Sequence, residues 1–98
     1  MTDHKAPPSC PLCRMALQHI GRLIAFTDQA GNHFAFAVCA PCSSRLDRLP
    51  INVQKRQLEA AVFQLSRHPE RYQYQEFPDR DSARLYVSLK AARLRGDL

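Results

Sequence analysis

Apolar and polar positions alternate in two regimes along the chain. Residues 18–26 carry Ile20, Leu23, Ile24 and Phe26 and read as a strand; the stretch 27–32 supplies turn residues, with Gly31 and Asn32 suited to positive φ. Phe34, Phe36 and Val38 then alternate with His33, Ala35 and Ala37, the pattern of a half-buried strand. The two strands make a β-hairpin. Beyond it the period lengthens. Residues 43–49 read as a short helix with Leu46 and Leu49 on one face, ended by Pro50. Asn52 is the expected N-cap of a second helix over 53–67, where Leu58, Ala61, Val62 and Leu65 fall on one stripe. His68-Pro69 stops it. Residues 72–77 fit either a short strand or an extended loop. Asp79 and Asp81-Ser82 can cap a last helix running to about Leu94, with Leu85, Leu89 and Ala92 along one side and Gly96 at its end. That side is expected to pack on the second helix; left bare, it would be a partner site or a homodimer seam.

The expected fold class is therefore α+β: a small β-hairpin followed by two or three α-helices. Residues 1–9 read as a disordered, proline-ended leader, 10–49 as the hairpin module, and 50–98 as a helical region packed on it in a single domain. Ninety-eight residues bury only about 60–65% of the surface of the unfolded chain, so the core is thin and a metal tie would matter. No apolar run is long enough to span a bilayer or serve as a secretory signal. The expected location is the cytoplasm, where thiols stay reduced.

Four cysteines in that setting call for metal or redox chemistry. They fall as Cys10-Pro-Leu-Cys13 and Cys39-Ala-Pro-Cys42, one pair at each end of the hairpin. A two-residue spacer lets both thiolates of a pair face one ion, and the hairpin brings the pairs together for tetrahedral ligation of zinc. Two rivals use the same residues: a redox disulfide between Cys39 and Cys42, or an iron centre on all four sulfurs.

Cys10-Pro-Leu-Cys13, the hairpin and Cys39-Ala-Pro-Cys42 together resemble the zinc-ribbon and treble-clef zinc-finger superfamily, over residues 9–49 only. The resemblance implies a structural zinc, and the helix expected straight after Cys42 leans toward the treble clef. Arg14 departs from it, standing where such knuckles often carry glycine. Some treble-clef nucleases place a catalytic histidine on the hairpin beside an Asp or a second His. Here His19 and His33 are the candidates, expected near each other across the strands, but no Asp-His pair or later His/Asn set accompanies them.

Four thiolates close a zinc site to water, and no phosphate-cradling or nucleophile motif occurs, so no enzyme and no small-molecule substrate are expected. Two binding readings remain. The formal charge is +5, falling to about +3 with zinc on four thiolates, and Arg71, Arg80 and Arg84 are the candidate nucleic-acid contacts, with Tyr72, Tyr74 and Phe77 placed to stack on bases. The alternative is a protein-interaction adaptor, a subunit of a larger machine, or a mobile-element inhibitor of a host factor, with a homodimer also open. Nucleic acid is slightly favoured.

Overall fold

A computed structural model describes residues 8–96. The leader expected over 1–9 lies outside that span except for its last two residues. Pro8 and Ser9 are tied in: Leu17 N–H donates to the Pro8 carbonyl at 2.7 Å, and Ser9 N–H to the Arg71 carbonyl at 2.6 Å.

The chain runs β1 (Ile20–Thr27), β2 (His33–Cys39), α1 (Ala40–Asp47), α2 (Ile51–Arg67), a 3-10 turn (Pro69–Arg71), β3 (Tyr74–Phe77) and α3 (Arg80–Arg95). The hairpin turn is held by Asp28, whose carboxylate accepts from the Asn32 N–H at 2.8 Å while Gly31 takes φ 86°. The stretch left open between strand and loop is an edge strand: β3 pairs antiparallel with β2, Tyr74 opposite Phe36 and Phe77 opposite His33, in a sheet of order β1-β2-β3. Both early helices start sooner than the sequence suggests. Pro41 falls in the first turn of α1, where a missing N–H is harmless. Pro50 takes the N-cap place of α2 instead of Asn52, and its carbonyl accepts from Val53 and Gln54.

The register sorts large from small. Ile24, Phe36 and Tyr74 align across the sheet, with Phe26 beside Phe34 on the same face; Leu23 and Ala37, then Ala25 and Ala35, align on the other. The phenylalanine face joins Ala61, Val62 and Leu65 of α2 in one core cluster, with Leu58 packed against it. The alanine face receives α3, whose Ala83 is 2% exposed and whose Tyr86 meets Phe77 at a centroid distance of 5.1 Å. The molecule is thus a three-layer α/β/α sandwich, and β2, read from sequence as half-buried, is covered on both sides from Phe34 to Val38.

This corrects the expected contact between the last two long helices, which lie on opposite faces of the sheet. It also turns α3 round. Ala83, Tyr86 and Val87 face inward, because a carpet of alanines accepts a helix at short range through small residues; Leu85 and Leu89 stay 60% and 52% exposed.

The ends of α3 are those the sequence predicts. Asp79 accepts from the Ser82 N–H at 2.7 Å, and Gly96 closes the helix at φ 80°. The backbone N–H of Ser82 holds the Asp79 carboxyl below its ordinary value. A carboxyl with a lowered folded pKa stabilises above its unfolded pKa and loses that contribution as pH falls through the folded one. Asp79→Ala is therefore expected to lower the thermal midpoint at pH 7, with the gap to the parent narrowing toward acid. Thermal melts across pH and the Asp79 carboxyl titration by NMR check both parts.

Candidate metal centre

The first cysteine pair sits in a knuckle stitched to its surroundings. Arg14 N–H donates to the Cys10 carbonyl at 2.7 Å and Cys10 N–H to the Met15 carbonyl at 2.9 Å. Ser9 forms bridges to both Ala16 and Tyr72, which fixes the knuckle against the chain just before β3. The turn closes with Arg14 at φ 65°, the left-handed region that glycine adopts freely. Arginine holds it under strain. Arg14→Gly is expected to raise stability by up to about 1 kcal/mol, the left-handed penalty less glycine's added entropy in the unfolded chain, with metal content unchanged. Denaturant titration of the two proteins measures it.

The second pair straddles a junction. Cys39 ends β2 and is the N-cap residue of α1, and Cys42 lies one turn into that helix. All four Sγ atoms fall within 4.8 Å of one another, and Cys13 Sγ to Cys39 Sγ is 3.8 Å. Tetrahedral ligation with metal–sulfur bonds of about 2.3 Å places sulfurs about 3.8 Å apart, whereas a disulfide needs about 2.05 Å. All four cysteines are free. The quartet fits one metal ion.

Its electrostatics point the same way. Burial raises the Cys10 thiol pKa, but N–H groups of Cys39, Cys13 and Leu12 outweigh it and leave the thiol below its ordinary value; the Cys39 N–H reaches Cys10 Sγ at 3.5 Å. Cys13 is raised, chiefly by burial, and so is Cys42, by burial and then by the neighbouring thiols. Backbone donors are aimed at the Cys10 sulfur while burial and crowding push Cys13 and Cys42 toward the neutral thiol, an arrangement in which a bound cation would favour the thiolates.

Two further residues hold the halves of the site in place. Arg22 on β1 pairs with Asp47 on α1 at 2.9 Å, an exposed contact of small worth. Gly21 matters more. A Cβ there would lie 2.4 Å from both Cα and N of Ala40, so β1 passes against the start of α1 at backbone contact. The register slips at this point, between Ile20 and Arg22. Sequence reasoning missed Gly21, although a lone glycine inside a strand pattern is the mark of such an approach.

The other candidates disperse. His33 pairs with Thr27 at the turn end of the hairpin, its Nδ1 2.9 Å from Thr27 Oγ1, while His19 precedes Ile20 at the cysteine end. The expected proximity of the two histidines is not found. Tyr72 is 8% exposed, with its hydroxyl donating to Gln64, and Tyr74 and Phe77 pack on Phe34 and Tyr86. Tyr72 is buried, and Tyr74 and Phe77 are half-buried in these ring contacts. Arg71 comes just before β3 and Arg80 and Arg84 just after it, all three exposed, so the strand separates the first from the other two.

No family model matches the chain, and comparison with curated proteins and with solved structures found no match. No helix among the described residues is long and apolar enough to cross a membrane.

Proposed function

We propose that Cys10, Cys13, Cys39 and Cys42 hold one structural zinc ion in a treble-clef arrangement, and that the domain is a non-catalytic module for macromolecular recognition. The observation that carries the reading is the quartet of sulfurs within 4.8 Å of one another, one pair at the 3.8 Å of tetrahedral ligation, assembled from a knuckle and from the start of a helix. The treble clef is supported over the ribbon because Cys39 and Cys42 open α1 directly. Four thiolates leave no position for water or substrate, which supports a structural ion over a catalytic one. Elemental mass spectrometry on protein purified without added metal, with free-thiol counting, tests this: one zinc per chain with four protected thiols is expected. Iron in its place would move the chain to the iron–sulfur class, and no metal with a Cys39–Cys42 disulfide would make it a redox protein.

For the partner, the reading favoured is nucleic acid. Its support is the formal charge of +5, about +3 with zinc on the four thiolates, and the paired Arg80 and Arg84; contacts by these arginines would be to the backbone. A protein partner is the second reading, favoured by the bare Leu85–Leu89 side of α3. Retention of nucleic acid through purification at low salt, lost at high salt, supports the first.

A further inference from the structure

Arg80 and Arg84 stand one turn apart at the start of α3, both exposed, and line a groove of about 470 Å³ together with Ala25, Thr27, His33 and Ala83. Like charges at this spacing repel, and among the described residues neither guanidinium has a carboxylate within ion-pair distance. No Asp or Glu lines the groove. The nearby Asp79 carboxylate is turned onto the Ser82 N–H. Across the groove, Thr27 Oγ1 holds His33 through Nδ1 at 2.9 Å, which fixes the ring and leaves Nε2 as its remaining polar atom. Alanines at 25 and 83 leave room between these donors.

We propose that this groove binds a phosphate group, with Arg80 and Arg84 as its guanidinium clamp and His33 as a third donor. Guanidinium presents its N–H groups in a planar fork that matches two phosphate oxygens, and two such forks one turn apart grip an anion more tightly than either does alone. The concave site carries two guanidinium groups; the nearest carboxylate, Asp79, lies within electrostatic reach of His33 but outside the lining and is engaged by the Ser82 N–H. The source of the phosphate rests on the nucleic-acid reading: a phosphodiester in a single strand, gripped without regard to sequence.

The test uses the full, metal-loaded chain with two probes, inorganic phosphate and a 12-nucleotide oligothymidylate, followed by amide NMR shifts and fluorescence anisotropy. Oligothymidylate is expected to shift the amides of Thr27, His33 and the first turns of α3. Arg80→Gln and Arg84→Gln are each expected to weaken binding by about 3- to 10-fold and to lower the salt slope by about one. Both side chains are exposed, so metal content and melting of the variants should match the parent. If phosphate alone gives the same shifts and the oligonucleotide binds no tighter, the groove stands as a free-phosphate site and the nucleic-acid reading falls. Oligonucleotide binding unchanged in both variants overturns the groove and leaves that reading standing. The absence of shifts at these residues with either probe also overturns the groove.

Discussion

Cys39→Ser is expected to lose the metal and the fold together. A structural zinc contributes an apparent binding energy of about 10–16 kcal/mol at neutral pH, comparable with the whole stability of a typical domain, about 5–15 kcal/mol. From sequence alone the damage would be confined to the cysteine lobe. The structure extends it: Cys10, which is fully buried, Leu17 and Cys42 belong to the same core cluster as Phe36 and Leu65. Opening the quartet therefore opens the core under α2. Cys39 also ends β2, caps α1 and donates its N–H to Cys10 Sγ, so the serine sits where three elements meet. The variant should show less than one metal per chain and no cooperative thermal transition by circular dichroism. Treating the parent with a strong chelator should produce the same state, reversed by added zinc. Full metal content with an unchanged melt in the serine variant would remove the metal from its structural role.

The features legible in the sequence were those set by short spacings. Two residues between the cysteines of each pair and an alternating run between the pairs are local facts, and the hairpin and quartet follow from them. The cap at Asp79 and the stop at Gly96 are local in the same way. What the sequence concealed depends on contacts between distant segments. Ala35 reads as the weak half of an alternation, yet it is buried on the face of the sheet that receives α3, so β2 is covered on both sides. The rotation of α3 follows from the small residues on that face and from Phe77 meeting Tyr86, and it leaves the Leu85–Leu89 side, the one its own pattern offered, bare. Tyr72 looked free beside Arg71, and only the return of the chain past α2 shows its hydroxyl on Gln64.

Gly21→Ala is the sharper test of how the site is assembled, because it alters no ligand. The added methyl would meet the backbone of Ala40 at 2.4 Å and the Cys39 carbonyl carbon at 2.6 Å, and backbone cannot rotate away as a side chain can. Either β1 leaves β2 at the register slip or the start of α1 moves, and the second displaces Cys39 from its place 3.8 Å from Cys13. The expected loss is about 3 kcal/mol, at the upper end for overpacking, with zinc affinity reduced at least about tenfold in competition with a chromophoric chelator. Gly31→Ala is the matched control. Gly31 has φ 86° with nothing within 4 Å of a built Cβ, so alanine there meets only the left-handed penalty of about 1–2 kcal/mol. It should lower the melt modestly and leave metal affinity at the parent value. Equal effects of the two substitutions on affinity would mean that the approach of β1 to α1 does not set the position of Cys39. A loss confined to Gly21→Ala would show that the hairpin positions its second cysteine pair through a backbone contact as well as through the metal.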